Sequence, residues 1–391
     1  MYSESWYLLM FFISLRFIPL LHILTALGTL AILALSLANI LWLRFSGYKP
    51  RSADQGTVSV LIPARNEEAN IGRCLDSLLD QSYSNYQIIV LDDCSEDRTW
   101  QIISGYARRY PQRLQAIRGG PLPRGWCGKT HAMQLLSQYA SGDYLLFTDA
   151  DTIHSRESLA WAVTNINKHS ADFISGYVRQ DLQSFGEALI VPTTYIMSAI
   201  VMPFWLIPRT NSSMVTMAVG QMVMFRRSTF QAIGGYSSVA EQISEDVFVA
   251  RAVKKAGYRT VFLDLSDHVT CRMYEGYRDS FEGIGKNIYD FFKNQPAFFA
   301  AVASALVAFI LLPLVLVAIE WHMSSPLLRL SVFSVLCFVL AWSLTLYDRG
   351  LKWWVPLLYP LTFLHLLYMA WKAFGRAAVN VGIVWKGRVF K

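Results

Sequence analysis

Long uncharged apolar segments are the feature that most constrains how this chain folds. Of its 391 residues, 53% are hydrophobic and 16% are charged, whereas an average soluble domain is about a quarter charged. The apolar residues are concentrated in the runs 21–43, 297–319, 327–347 and 353–374. About 20 apolar residues suffice for a helix to cross a bilayer. The sequence therefore predicts a membrane protein with one N-terminal and about three C-terminal membrane helices around a polar insert, residues 57–294.

Basic residues at the edge of the insert predict the side of the membrane on which it lies. Arg44, Lys49 and Arg51 follow the first apolar run, and basic flanks favour the cytoplasmic side. The insert is thus expected in the cytoplasm, at the inner or plasma membrane if the cell is bacterial. The run 21–43 has no small-residue cleavage site at its end, so residues 1–50 are predicted to be an anchor rather than a signal peptide.

The basic tail, residues 375–391, conflicts with three C-terminal crossings. Three crossings would place the tail outside the cell, yet it is the most basic segment of the chain. Either one of the three segments is not a full crossing, or the charge rule fails here. The sequence slightly favours a tail at the cytoplasmic face.

A further apolar stretch, residues 188–208, lies inside the insert. As a membrane span it would place Asp149 and Asp246 on opposite sides of the membrane, where they could not belong to one site. It is therefore predicted to form interfacial or deeply docked helices broken at Pro203. A soluble core segment is the alternative that the sequence leaves open.

Alternating strand and helix patterns in the insert predict an α/β fold with a doubly wound, mainly parallel sheet. The predicted strands are 58–62, 87–91 and 144–148, and the predicted helices are 68–81, 99–110 and 157–169. Ligands of such sheets bind beyond the carboxyl ends of the strands. Polar clusters occur at those three ends, in the segments 63–68, 92–97 and 149–151.

Two acidic pairs are the main candidates for chemistry. Asp149 and Asp151 follow an apolar strand, and carboxylates of this kind bind Mg²⁺ together with substrate phosphates. Glu245 and Asp246 begin a predicted helix, where Asp246 could act as a general base on a hydroxyl. The structural alternatives are an ordinary surface loop and a helix with an acidic first turn.

Asp92 and Asp93 end the second predicted strand and could accept hydrogen bonds from a nucleoside, although they could also cap a turn. The glycine-flanked turn 125–130 could present Lys129 to phosphates, but it lacks the spacing of a Walker A loop. The net charge of +7 is explained by membrane flanks. No basic stripe with interleaved aromatic residues is present, so a nucleic-acid partner is not expected.

Five scattered cysteines without a C-x-x-C pair favour a reducing compartment.

Taken together, the ordered motifs resemble the family 2 glycosyltransferases, which have the GT-A fold. The matching segments are Val60-Leu61-Ile62-Pro63-Ala64-Arg65-Asn66-Glu67-Glu68, Val90-Leu91-Asp92-Asp93-Cys94-Ser95-Glu96-Asp97, Asp149-Ala150-Asp151, and Gly234-Gly235-Tyr236 followed by Glu245-Asp246. The resemblance covers about residues 58–294.

The resemblance implies roles for individual residues. Donor-binding residues would be Pro63, Ala64, Glu67, Asp92, Asp93, Lys129 and Asp149. Asp149 and Asp151 would hold Mg²⁺ or Mn²⁺, and the catalytic residues would be Asp246, Glu245 and Arg272. The donor would be a nucleotide sugar, with a UDP-sugar expected, and the reaction would invert the anomeric centre.

The segment after Glu245-Asp246 departs from the processive members of the family, because their Q-x-x-R-W signature is missing. Cys271-Arg272-Met273-Tyr274 stands in that region instead. This pattern is similar to membrane enzymes that glycosylate carotenoids, hopanoid-type lipids or ceramide. It implies transfer of a hexose, with glucose expected, to a hydroxyl of a membrane lipid such as a carotenoid, a sterol-like lipid, ceramide or diacylglycerol. A processive polysaccharide synthase and a non-catalytic nucleotide-sensing membrane protein are the alternatives.

Overall fold

The computed structural model describes residues 2–50, 56–196, 200–294, 296–323, 325–378, 383–385 and 388–390. The strands in chain order are β1 (Val58–Ala64), β2 (Tyr86–Asp92), β3 (Leu114–Arg118), β4 (Tyr144–Thr148), β5 (Thr152–His154), β6 (Phe173–Tyr177), β7 (Arg179–Gln180), β8 (Met222–Arg226), β9 (Thr260–Asp264), β10 (Val269–Cys271), β11 (Ile383–Trp385) and β12 (Arg388–Phe390).

The helices are α1 (Tyr2–Ser46), α2 (Ile71–Leu79), α3 (Thr99–Arg109), α4 (Gly128–Tyr139), α5 (Ser158–Lys168), α6 (Phe185–Ile190), α7 (Arg227–Ala232), α8 (Glu245–Lys255), α9 (Gly276–Asn294), α10 (Pro296–Leu306), α11 (Leu312–Met323), α12 (Leu328–Asp348) and α13 (Tyr359–Ala378). A π-helical turn, Val307–Leu311, joins α10 to α11.

A seven-stranded sheet organises the polar insert. Its order is β3-β2-β1-β4-β8-β6-β9, and a small second sheet has the order β5-β10-β7. In the large sheet β8 is antiparallel to both neighbours, while the other pairs are parallel. The predicted mainly parallel α/β sheet is confirmed. Strand β3 and helix α4 were not predicted.

Helices cover both faces of the large sheet, which explains why its central strands are apolar throughout. Successive residues point to opposite faces: Val60 and Ile62 join the cluster that contains the apolar side of α2, whereas Leu61 joins the cluster that contains Met133 and Leu136 of α4. The sheet is therefore rigid where its strands end, and those ends position the site.

Three helical segments in the described part of the chain are long and apolar enough to cross a membrane: Phe17–Ser46, Ala300–His322 and Leu328–Asp348. The last predicted segment, residues 353–374, is not among them. It forms a short 3-10 helix, Val355–Leu358, and then α13. Within the predicted basic tail, residues 379–382, 386, 387 and 391 lie outside the described residues.

Helices α1, α11 and α12 form a bundle whose two ends are fixed by charged pairs. At one end His22 of α1 contacts Glu320 of α11, and the Ser331 hydroxyl donates to Glu320 at 2.7 Å. At the other end Arg44 of α1 pairs with Asp348 of α12 at 2.8 Å. The second end lies against the large sheet. Helix α13 packs mainly along α9 and α6 of the insert, and its Phe363 also contacts Phe338 and Trp342 of α12.

The segment predicted as docked helices, residues 188–208, lies between the insert and the bundle. Its described part comprises the end of α6, the 3-10 helix Val191–Tyr195 and, after Pro203, the 3-10 helix Phe204–Arg209. Asn39 of α1 holds the break, because its side chain donates to Met202 O and accepts from Phe204 N at 2.8 and 2.9 Å.

Candidate active site

The loop after β4 holds two carboxylates at the carboxyl end of the sheet. Asp149 and Asp151 lie in the turn between β4 and β5, and the Thr152 hydroxyl donates to Asp149 O at 2.7 Å. The Thr148 hydroxyl donates to Gln221 O on the neighbouring antiparallel strand at 2.8 Å. These bonds fix the Asp-x-Asp turn, because they tie both of its ends to strands.

Lys129 connects this turn to the second acidic pair. It lies in the first turn of α4, and its Nζ is 2.7 Å from Asp149 Oδ1 and 2.9 Å from Glu245 Oε1. Partial burial would lower the pKa of the Lys129 ammonium, but the two carboxylates raise it well above its usual value. The side chain is thus a fixed positive charge between two segments that are remote in sequence.

Asp246 occupies the first turn of α8 beside this cluster. Its Oδ2 accepts from Gly220 N and its Oδ1 from Val247 N, both at 2.8 Å. Burial and the neighbouring Glu245 carboxylate raise the pKa of Asp246 to about 7, although Lys129 and the two backbone donors oppose this. A carboxylate with a pKa near neutrality is suited to general base catalysis.

The loops after β1 and β2 form the other end of the site. Asp93 N donates to Ala64 O at 2.7 Å, and Arg65 donates back to Asp93 O at 2.9 Å. Asn66 and Cys94 both have positive φ, 53° and 56°, a conformation that is uncommon outside glycine and often found at functional sites. The two loops are therefore locked together next to the carboxylates of the Asp-x-Asp turn.

These segments line one cavity of about 500 Å³. Nine of the predicted site residues line it: Pro63, Ala64, Glu67, Asp93, Lys129, Asp149, Asp151, Glu245 and Asp246. The cavity extends to apolar side chains of the C-terminal helices, namely Val302, Ala303 and Leu306 of α10 and Leu366, Leu367 and Ala370 of α13. Carboxylate side chains and apolar side chains of α10 and α13 thus line a single cavity.

Two predicted site residues are placed elsewhere. Asp92 is buried beneath the cavity and does not line it; neither carboxylate oxygen has a hydrogen-bond partner in the described part of the chain. Arg272 is drawn away from the cavity by ion pairs with Glu187 at 3.0 Å and Glu275 at 3.5 Å. It connects the segment before α9 to α6, and it is not among the residues that line the cavity.

Sequence reasoning missed three residues of the site. Gly220 supplies the backbone donor to Asp246, and a Cβ there would lie 3.2 Å from Lys129 Nζ. Arg65 and Arg251 also line the cavity. Arg65 lies inside a recognised motif and could have been found, whereas Gly220 and Arg251 gave no local pattern.

The Asp-x-Asp turn supplies only some of the oxygen ligands that a divalent cation needs. Among the residues that the structure describes, no group of three or more His, Cys, Asp and Glu side chains could by itself hold a metal ion. Asp149 and Asp151 nevertheless provide carboxylate oxygens in the cavity. Mg²⁺ typically takes one or two carboxylates and completes its shell with phosphate oxygens and water. The residues present fit that kind of site.

Residues 59–234 match the family described as "Glycosyl transferase family 2". The chain contains a glycosyltransferase family 2 domain. Over 243 residues it is 28% identical to the 4,4'-diaponeurosporenoate glycosyltransferase of Staphylococcus haemolyticus (strain JCSC1435), covering 59% of this chain and 61% of the relative. Over 242 residues it is 25% identical to the protein of the same name from Staphylococcus aureus (strain USA300), covering 59% and 60%.

The chain therefore spans about three fifths of the length of these curated relatives. Among solved structures it is similar to a mannosyltransferase from Pyrobaculum calidifontis in complex with GDP-Man and Mn²⁺. The identity is 18%, the coverage is 92% of this chain and 98% of the other, and the TM-score is 0.53. This similarity shows a shared GT-A fold. The family resemblance predicted from the motifs is confirmed.

Proposed function

We propose that this protein is an inverting, metal-dependent glycosyltransferase that moves one hexose from a nucleotide sugar to a membrane lipid. The observation that carries the proposal is the continuity of the cavity, which joins the carboxylates of the sheet to apolar side chains of α10 and α13. A soluble acceptor would not require an apolar wall of this kind. The name of the two curated relatives, diaponeurosporenoate glycosyltransferases, supports an apolar acceptor.

The donor would bind with its nucleoside against Ala64, Glu67 and Asp93 and its diphosphate near Lys129. The Lys129 ammonium and the N-terminus of α4 both favour negative charge at that point. A divalent cation held by Asp149 and Asp151 would offset the diphosphate charge and stabilise the leaving group. A UDP-sugar, with glucose as the hexose, is the expected donor.

Asp246 would accept the proton of the attacking hydroxyl. Its two backbone donors, Gly220 and Val247, fix both carboxylate oxygens, so the base is oriented before the acceptor arrives. A general base and direct attack on the anomeric carbon give inversion. Glu245 would act indirectly, by holding Lys129 in place.

The topology that fits this function has one N-terminal and two C-terminal crossings. Both Arg44 and Asp348, the ends of α1 and α12, lie on the insert's side of the bundle, and α13 packs against the insert. After two C-terminal crossings the chain is again on the same side of the membrane as the insert. The insert and the basic residues of α13 would then both lie in the cytoplasm, as the positive-inside rule expects.

The test is transfer of labelled sugar by the purified full-length protein in bilayer nanodiscs. UDP-glucose, other UDP-sugars and GDP-mannose are each incubated with extracted membrane lipids, and the lipid fraction is analysed by mass spectrometry. We expect one added hexose per lipid, loss of transfer with EDTA, and recovery with Mg²⁺ or Mn²⁺. The absence of any glycolipid with every donor would reject the proposal, and a polymeric product would support a polysaccharide synthase instead.

A further inference from the structure

A guanidinium group without an acidic partner lies in the wall of the cavity. Arg251 of α8 lines the cavity. Its side chain has no hydrogen bond or ion pair to the residues that the structure describes, and its Nε is buried without a partner. Its Cζ lies 5.5 Å from the centre of the Phe248 ring. A partly buried charge without a counter-ion is costly unless a ligand compensates it.

Arg251 lies five residues after Asp246 on α8. Long side chains on a helix lean towards its N-terminus, so the guanidinium lies over the turn that contains Val247, which also lines the cavity. Asp149 and Glu245 are already paired with Lys129 at the donor end. Arg251 is not part of this ion-pair cluster.

The segment preceding Gly220 supplies a second unpartnered polar group. Lys254 Nζ donates to Val215 O, which holds this segment beside the face of α8 that carries Arg251. Thr216 lines the cavity, is 2% exposed, and its hydroxyl has no partner among the described residues. Four residues of extended chain span at most about 14 Å, so the Thr216 Cα lies within that distance of the Gly220 Cα, and Gly220 N donates to the Asp246 carboxylate.

A guanidinium and a hydroxyl that both line the cavity without a hydrogen-bond acceptor in the described part of the chain match the chemistry of an oxyanion. Arg binds carboxylates and phosphates through several parallel hydrogen bonds, and Thr can add one more. Met214 and Met217, close to Thr216 in the chain, also line the cavity, so an anion bound beside Thr216 would be attached to an apolar molecule.

We propose that Arg251 and Thr216 form a subsite for one anionic group, a carboxylate or a phosphate, on the lipid acceptor. The inference rests on the proposed transfer to a lipid and adds a chemical class to the acceptor. The anion would lie beyond the attacking oxygen, anchor the head of the lipid and direct its chain towards α10 and α13.

Three lipid probes with the same hydrocarbon chain length and different head groups test the subsite: oleate, oleyl phosphate and oleyl alcohol. Their binding to the full-length protein in nanodiscs is measured without a donor, with empty nanodiscs subtracted. We expect the wild type to bind at least one anionic probe tenfold or more tighter than the alcohol, and the tighter of the two anions identifies the head group. Arg251→Met should reduce that preference to about threefold or less, and Thr216→Val should reduce it partly.

Arg108→Met is the matched control, because it removes the same charge from the exposed end of α3; it should keep the full preference. Binding of UDP-glucose by Arg251→Met reports whether the variant is folded and should be unchanged. Equal binding of all three probes by the wild type, or a full preference in Arg251→Met, would overturn the subsite. A preference without any sugar transfer would instead reject the transferase proposal and leave the anion subsite standing.

Discussion

Asp246 combines the position, orientation and proton affinity that a general base needs. It lies beside Glu245 in the first turn of α8, two backbone N–H groups fix its oxygens, and burial raises its pKa to about 7. Its neighbour Lys129 opposes that rise and connects Glu245 to Asp149. Asp246 thus lies beside an ion-pair cluster of three charged groups, Lys129, Asp149 and Glu245.

Asp246→Asn removes the base and preserves the shape of the side chain. We expect kcat to fall by about 10²- to 10⁴-fold with little change in affinity for the donor nucleotide, because Asp246 is not part of the loops after β1 and β2 that would bind the nucleoside. Steady-state transfer and equilibrium UDP binding measure the two quantities. Asp80→Asn, at an exposed carboxylate at the end of α2, is the control and should retain full activity. An active Asp246→Asn enzyme would contradict the assignment of the base.

The pKa of Asp246 predicts how activity depends on pH. Only the ionised carboxylate can accept a proton, so kcat/KM should rise with pH through the neutral range and fall as Asp246 becomes protonated below about 7. A bound divalent cation would lower this pKa and shift the rise to lower pH. A profile measured at several Mg²⁺ concentrations checks both statements. Activity that is constant from pH 5 to pH 8 would be incompatible with this base.

The same shift has a consequence for stability that runs the opposite way. In the folded protein the pKa of Asp246 is about 7 instead of 3.8, so the folded state binds the proton more tightly than the unfolded state. The stabilisation is present at low pH and is lost as pH rises through that interval. In the presence of EDTA, Asp246→Asn should therefore have a higher Tm than the wild type at pH 8, and the difference should shrink at pH 5.

At the scale of single elements, the pairing of strands decides where the carboxylates lie. Strand β8 runs antiparallel between β4 and β6, and the segment before it carries Gly220 to the base. Strand β6 pairs in parallel with β9, with Gly176 opposite Leu263. A Cβ at position 176 would lie 2.2 Å from Leu263 O, so the close approach of these strands requires glycine.

Gly176→Ala should destabilise the insert by about 1–3 kcal/mol or more, because the methyl group forces two paired strands apart. Thermal unfolding with and without UDP measures the loss. Gly105→Ala on α3 is the matched control: a Cβ there meets no atom within 4 Å, and alanine favours the helix by roughly 0.5–1 kcal/mol. Equal stability of the two variants would show that strands β6 and β9 tolerate a wider separation.

At the scale of the whole molecule, a buried ionic junction attaches the membrane bundle to the insert. Arg349 follows α12, is 3% exposed, and contacts Asp264 of β9 at 2.8 Å as well as Asp348. Asp348 in turn binds Arg44 of α1. Trp42 adds a neutral contact, since its indole N–H donates to Phe262 O at 3.0 Å. The bundle and the edge strand of the sheet are thus fixed to each other.

Arg349→Leu should cost about 3 kcal/mol, because the partly buried Asp264 carboxylate loses its counter-ion while Asp348 keeps only Arg44. Donor binding, which depends on the opposite half of the sheet, should survive in molecules that remain folded, while transfer to lipid should fall. Unfolding in detergent, UDP binding and lipid transfer separate these effects. Arg278→Leu breaks an exposed pair with Glu282 and should change stability by less than about 1 kcal/mol.

Local sequence patterns were sufficient to predict much of the fold and most of the residues that line the candidate site, but not the contacts between them. Apolar runs at 21–43, 297–319 and 327–347 predicted membrane helices, and helices long and apolar enough to span a bilayer occur at 17–46, 300–322 and 328–348; the fourth predicted segment, 353–374, is not among them. The Asp-x-Asp turn was predicted because parallel strands bring their carboxyl ends to one edge. Strand β3 and helix α4 were missed, since the intervening glycines and prolines obscured their short apolar patterns.

The sequence by itself determined the family, the order of the acidic motifs and the parallel sheet that aligns them. Only the tertiary structure decided which charged groups meet: Lys129 bridges Asp149 and Glu245, while Arg272 pairs with Glu187 instead of joining the site. It also decided that Arg251 lines the cavity without an acidic partner. The reason is physical, because the partner of a charge and its degree of burial depend on packing between segments distant in the chain, which no local pattern of residues specifies.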